Sequence, residues 1–124
     1  MYISTSLTTI SFARSSQRWR NIVIVIRGTL SFEDMISDVT LSPEPLDVVG
    51  EEFGFEFDCT DEFCHKGMLE AAKYVYDDME ARGVLKKAMN ANPEFNIRVT
   101  GHSLGAGVAS VLGLMMRRQY PQLK

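Results

Sequence analysis

Apolar and polar positions alternate weakly over residues 2–5 and 9–12, which predicts short strands at a sheet edge, with a turn at Ser15-Ser16-Gln17-Arg18. Residues 21–26 are more decisive. Asn21 is followed by five consecutive β-branched residues, Ile22-Val23-Ile24-Val25-Ile26, with no polar alternation. That run predicts a strand covered on both faces, as in a parallel sheet flanked by helices. It ends in Arg27-Gly28-Thr29. Ser31 can then cap a helix over residues 32–39, with Glu33 and Asp34 in the first turn, where carboxylates favour the helix dipole. Ser42-Pro43-Glu44-Pro45 breaks any helix.

Over residues 51–62 the pattern changes. Glu51, Glu52, Glu56, Asp58, Asp61 and Glu62 alternate with Phe53, Phe55 and Phe57, with Phe63 following, which predicts either a surface hairpin with one packed face or a flap over a site. A long helix follows from Lys66-Gly67, with Met68, Ala72, Val75 and Met79 recurring at helical spacing as a core stripe. Arg82-Gly83 interrupts it and residues 84–91 resume it. Asn92-Pro93-Glu94 turns the chain into a strand over residues 95–100. A last helix, over residues 104–118, is rich in small residues suited to close packing on a sheet, and Tyr120-Pro121 stops it. Strand, helix, strand, helix in this order predicts an α/β architecture. Residues 1–20 read as an N-terminal segment of little definition and residues 21–124 as the domain.

Composition narrows the function classes. At 124 residues the chain holds one domain at most, and 45% hydrophobic with 23% charged residues is an ordinary globular balance. A net charge of −3 gives no electrostatic case for nucleic acid. The apolar stretch over residues 108–116 is far short of a membrane span, and the first twenty residues lack the continuous apolar core of a secretory signal. Cys59 and Cys64 lie five residues apart with no paired histidine set, a poor zinc pattern, so free thiols in a cytosol-facing protein are expected and no metal or cofactor.

The chemistry lies at Gly101-His102-Ser103-Leu104-Gly105. A β-branched strand precedes this G-x-S-x-G and a helix follows, the context of a nucleophile elbow. The glycines Gly101 and Gly105 permit the sharp turn that holds the Ser103 hydroxyl exposed, and the helix start aims backbone N–H groups at an oxyanion formed beside it. Ser103 is therefore the candidate nucleophile. The N–H of Leu104 is one candidate oxyanion donor, and Thr29, after the first strong strand, is the other. Ser103 needs a base. His102 adjoins it and points elsewhere in such elbows; His65, in Cys64-His65-Lys66-Gly67, fits a structural hydrogen bond better. In α/β-hydrolases the acid and the histidine follow the serine in the chain, and residues 104–124 contain no Asp, Glu or His.

Residues 24–31 (Ile-Val-Ile-Arg-Gly-Thr-Leu-Ser), Asp38, His65-Lys66-Gly67-Met68 and Val99-Thr100-Gly101-His102-Ser103-Leu104-Gly105-Ala106-Gly107 together resemble the class 3 (fungal-type) lipase domain, most of all the sn-1-specific diacylglycerol lipases. Ala71-Ala72-Lys73-Tyr74-Val75, Asn92-Pro93-Glu94-Phe95 and the segment over residues 118–123 add to the similarity, which covers about residues 22–124. The resemblance implies an α/β-hydrolase fold with a mostly parallel sheet and helices on both faces. It also implies hydrolysis of diacylglycerol to monoacylglycerol and fatty acid. Ser103 matches the family nucleophile, Thr29 and Leu104 the oxyanion hole, and Asp38 and His65 positions that look structural. An acylglycerol substrate, peripheral contact with a membrane and a place in the cytoplasm or on the cytoplasmic face of a membrane go with it. The catalytic Asp and His of relatives lie beyond the residues matched, so the chain by itself is expected to turn over little substrate. It is also expected to leave the edge beside the strand at residues 97–100 unpaired. The rival expectation is a non-catalytic lipid-binding or interaction protein that keeps the elbow as scaffold.

Overall fold

The computed structural model describes residues 2–4, 8–15, 19–28 and 42–124. In chain order these contain β1 (Tyr2–Ser4), β2 (Thr8–Ser15), β3 (Trp19–Ile26), β4 (Pro43–Pro45), α1 (Asp47–Phe53), β5 (Phe63–His65), α2 (Lys66–Arg82), α3 (Val84–Ala91), β6 (Asn96–Gly101) and α4 (Leu104–Met116). The main sheet has the order β1-β2-β3-β6. β1 and β2 run antiparallel to their neighbours, with Thr8 opposite Ile26 and Ser15 opposite Trp19, so the two weakly patterned N-terminal stretches do form strands. β3 and β6 run parallel in the register Ile22↔Ile97 to Ile26↔Gly101. This parallel pair is the frame of the site, because both strands end at the same edge.

The isoleucines of β3 show why it is central. Ile22, Ile24 and Ile26 are buried to 2% exposure or less, together with Ile97 of β6, while Val23 and Val25 on the opposite face are half-buried. α4 lies on β3 and β6 through Val108, Leu112, Met115 and Met116, and α2 packs on α4 through the predicted stripe of Ala72, Val75 and Met79, joined by Leu69. Gly83 ends α2 in the left-handed region (φ 60°), the conformation glycine adopts without Cβ strain, and α3 starts directly after it. Glu80, near the end of α2, gathers the C-terminal turn. Its carboxylate accepts from Tyr120 Oη, from Gln119 Nε2 (3.2 Å) and from Lys86 Nζ (2.6 Å). Burial pushes the Glu80 carboxyl up, but these donors outweigh it and hold the group below the usual carboxylate range.

Two expectations require correction. The acidic, phenylalanine-rich segment is not a hairpin. Its first part belongs to α1, which buries Val49 and Gly50 and ends at Gly54 (φ 65°). A Cβ on Gly50 would lie 2.5 Å from Cys59 Sγ, so the following turns pack directly on this short helix. Phe53 meets Tyr76 edge-on at 5.1 Å and Phe55 stacks on Phe57 at 5.5 Å, which turns the aromatics against each other and the core rather than onto one strand face. The strands flank the segment, as the β4–β5 pair. The second correction concerns the edge of β6. Ile97 N–H donates to the Gln122 carbonyl (2.9 Å) and Lys124 N–H to the Ile97 carbonyl (3.0 Å), so Leu123 bridges to Ile97 in parallel. Part of that edge is therefore occupied.

Both cysteines are free, as expected. Burial pushes both thiols up, reinforced by Asp58 and Asp47 beside Cys59 and by Glu44 beside Cys64, which keeps them protonated and poorly nucleophilic. The expected helix over residues 32–39 with its Ser31 cap, Asp38, and residues 16–18 of the expected turn lie outside the described residues.

Candidate active site

β6 ends at Gly101 and α4 starts at Leu104, so the whole reversal occurs in His102-Ser103. Ser103 has φ 55° and ψ −123° and is exposed. Among the described residues the only other non-glycine at positive φ is Asp61, a residue type that tolerates this region better. Such a conformation costs about 1–3 kcal/mol for a residue with a Cβ and persists only where the surroundings enforce it.

The enforcement comes from two backbone contacts. A Cβ on Gly101 would lie 2.3 Å from the Gly105 carbonyl oxygen, and one on Gly105 would lie 2.7 Å from the Ile26 carbonyl oxygen. The helix thus folds back over the end of its own strand and at once presses on the end of the next. Gly105 N–H donates to the His102 carbonyl (3.0 Å) and Ala106 N–H to the Ser103 carbonyl (2.9 Å). Leu104, the first residue of α4, keeps an N–H with no acceptor among the described residues. That amide, at the positive end of the α4 dipole, suits a developing oxyanion.

The end of β3 approaches from the other side. A Cβ on Gly28 would lie 3.1 Å from the His102 carbonyl oxygen, so the Arg27-Gly28 turn touches the elbow itself. The crevice outside the carboxyl ends of adjacent parallel strands is where open α/β sheets bind ligands. Thr29 follows directly but lies outside the described residues, so the structure brings together Gly101, Ser103, Leu104 and Gly105 and leaves Thr29 to its sequence position.

Neither histidine stands as a base in this geometry. His102 is exposed and makes no side-chain hydrogen bond among the described residues. His65 caps α2: its Nδ1 accepts from Gly67 N–H at 3.1 Å, the structural hydrogen bond expected of it. A neutral ring accepting at Nδ1 carries its proton on Nε2. That atom is buried with no partner among the described residues. The cap has a consequence that the sequence did not reveal. It sets the start of α2, and Met68 there occupies the space over Gly107, where a Cβ would meet the thioether sulfur at 2.4 Å. Gly107 therefore serves packing between α2 and α4, and only Gly105 serves packing on the sheet. A methionine two residues into a predicted helix, facing a glycine four after the serine, was the available signal. Among the described residues no group of three His, Cys, Asp or Glu side chains is arranged to hold a metal ion, and no helix is long and apolar enough to cross a membrane.

Known proteins share both the sequence and the geometry. The family profile described as Lipase (class 3) matches residues 23–124. The chain is 37% identical over 108 residues to diacylglycerol lipase-beta of Mus musculus, a match that covers 86% of this chain and 15% of that protein. The triacylglyceride lipase of Rhizomucor miehei superposes with a TM-score of 0.65 at 25% identity, over 100% of this chain and 43% of that one. A triacylglycerol lipase whose catalytic centre is described as a serine protease triad does so with a TM-score of 0.63 at 25% identity, over 99% of this chain and 44% of that one. The chain therefore spans about 15% of the curated relative and under half of each solved lipase. With an α/β-hydrolase fold and a family profile that runs through the elbow, the chain belongs to the class 3 lipase family.

Proposed function

We propose that residues 21–124 are part of the catalytic domain of a serine lipase of the diacylglycerol-lipase type, with Ser103 as its nucleophile. In this reading Ser103 Oγ attacks the ester carbonyl carbon of an acylglycerol. The carbonyl π electrons move to oxygen, and the oxyanion is held by the N–H of Leu104 and by Thr29. Collapse expels the glycerol oxygen, which leaves with the proton lost by Ser103, and water then hydrolyses the acyl-enzyme to a free fatty acid. The observation that carries the reading is the conformation of Ser103: exposed, at φ 55° and at the head of a helix, with Gly101 and Gly105 enforcing the turn from either side. Identity to a diacylglycerol lipase favours diacylglycerol over simpler esters as substrate, presented at a lipid surface that the protein contacts peripherally. Two free cysteines suit a reducing compartment, on the cytoplasmic side of that surface.

A fluorophosphonate probe tests the nucleophile directly. With no base beside Ser103 among the described residues, the chain is expected to be labelled there slowly, helped by the Leu104 N–H, as read by mass spectrometry of the tryptic peptide, and Ser103→Ala is expected to abolish that labelling. A folded chain that resists the probe would sink the reading and leave the elbow as scaffold in a lipid-binding protein. Hydrolysis of diacylglycerol against short-chain esters then ranks the substrates.

A further inference from the structure

The β4–β5 pair presents a face that the fold does not use. Pro45 and Phe63 are register partners and share that face; both are exposed, Phe63 at 56%. Leu46 N–H donates to the Glu62 carbonyl (2.9 Å), which holds the start of α1 beside the start of β5, and Val48 in the first turn of α1 is 69% exposed. Pro45 and Phe63, paired across the strands, and Val48 three residues after Pro45 are exposed apolar side chains on neighbouring short elements.

The segment that carries the patch is acidic, with Lys66 directly after β5. Residues 42–64 contain eight carboxylates and no Lys or Arg, giving −8, whereas the rest of the chain carries +5. Glu52 pairs with Lys73 (3.3 Å) and Glu56 with Arg117 (3.2 Å). Glu44, Asp47, Glu51, Asp58, Asp61 and Glu62 have no ion-pair partner among the described residues. Asp47, Asp58 and Glu62 all lie close enough to Cys59 to act on its thiol, and Glu62 directly precedes Phe63.

We propose that the Pro45, Val48 and Phe63 face docks a basic protein segment in which arginine alternates with apolar side chains. Apolar residues of the segment cover Pro45 and Val48. A guanidinium suits both an exposed aromatic face and a carboxylate fork, so one arginine stacks on Phe63 while others pair with Asp47 and Glu62. A bilayer is the wrong occupant. Cytoplasmic lipid surfaces are themselves negative, and pressing six unneutralised carboxylates on one is repulsive. The docking face is independent of the chemistry proposed for Ser103.

The test uses a fluorescent hexapeptide of alternating arginine and leucine, a glutamine–leucine analogue, and vesicles of phosphatidylcholine with and without phosphatidylserine. The arginine peptide is expected to bind with an affinity that falls as salt rises, and the glutamine peptide and both vesicles are not. Phe63→Ser is expected to weaken peptide binding about two- to fivefold, the range for one exposed cation–aromatic contact. Asp47→Asn with Glu62→Gln is expected to weaken it further and flatten its salt dependence. All three side chains are exposed, so unchanged melting temperatures establish that the variants fold. Peptide affinity untouched by Phe63→Ser overturns the proposal. So does vesicle binding or self-association of the chain that Phe63→Ser abolishes, since either shows a different occupant.

Discussion

Ser103→Gly should make the protein more stable while removing the proposed nucleophile. The wild-type residue holds φ 55° and ψ −123°, where a Cβ costs about 1–3 kcal/mol and a glycine nothing. Glycine also loosens the unfolded chain, which offsets about 0.5–1 kcal/mol of the gain. The exposed hydroxyl contributes little, because its side chain makes no capping hydrogen bond to α4. A net gain of about 0.5–2 kcal/mol is expected, which for a domain of this size raises the melting temperature by about 2–10 °C. Ser103→Ala is the control: it removes the hydroxyl, keeps the strain, and should melt within about 0.5 kcal/mol of wild type. Far-UV circular dichroism during heating, repeated in urea, reads both. If Ser103→Gly melts at or below wild type while Ser103→Ala is unchanged, the turn is not strained and the argument from its conformation fails.

Gly105→Ala should do the opposite, since its Cβ would sit 2.7 Å from the Ile26 carbonyl oxygen and backbone must move to relieve it; a loss of about 1–3 kcal/mol is expected in urea unfolding, with fluorophosphonate labelling lost as well. His65→Ala should cost about 0.5–2 kcal/mol, the range for a helix cap, and His65→Asn, whose side-chain oxygen can accept from Gly67 N–H, should recover most of it in the same assay. Glu80→Gln tests the acid side of stability. The folded Glu80 carboxyl lies below its usual value, so its contribution is present above the unfolded carboxylate range and is lost as pH falls through the lowered folded value. Wild type should therefore lose stability on acidification more steeply than Glu80→Gln, and equal slopes below about pH 5 would show that the Tyr120, Gln119 and Lys86 contacts are not tied to that charge.

Local order in the sequence maps closely onto the fold where one element supplies its own evidence. The β-branched run before Arg27, the Gly83 break between α2 and α3 and the strand–elbow–helix passage at Ser103 all lie within a few residues of where the chain places them. Each rests on backbone preferences that neighbours reinforce. The helix and turns of the acidic segment are not legible in its pattern, because Phe53, Phe55 and Phe57 alternate like a strand while their partners, Tyr76 and one another, lie far away or on a turn. The role of Gly107 was hidden for a related reason: its partner, Met68, is 39 positions earlier, and only the packing of α2 on α4 brings them together. Within the candidate site Ser103 and its glycines are legible because the G-x-S-x-G pattern spans only five residues, although the contact of Gly105 with Ile26 is not visible in it. Thr29, the second candidate oxyanion donor, is legible from its place after β3 and from family likeness, and lies outside the described residues.

The contacts that shape the elbow join main chain to main chain: Gly101 against the Gly105 carbonyl, Gly105 against the Ile26 carbonyl, Gly28 against the His102 carbonyl. None of them depends on which apolar side chains fill the space behind. The isoleucines, leucines and methionines under the sheet could be exchanged for others of similar volume without re-aiming the serine hydroxyl, provided the two strands keep their register. Such an arrangement separates what the fold may vary from what it must hold. The core is free to drift in sequence, while a methyl group added at Gly101 or Gly105 would move the turn. Engineering for stability in this protein therefore belongs in the core and on the helices, and an alignment of working variants should show near-total intolerance at Gly101 and Gly105 beside broad freedom at Ile22, Ile24, Leu112 and Met115.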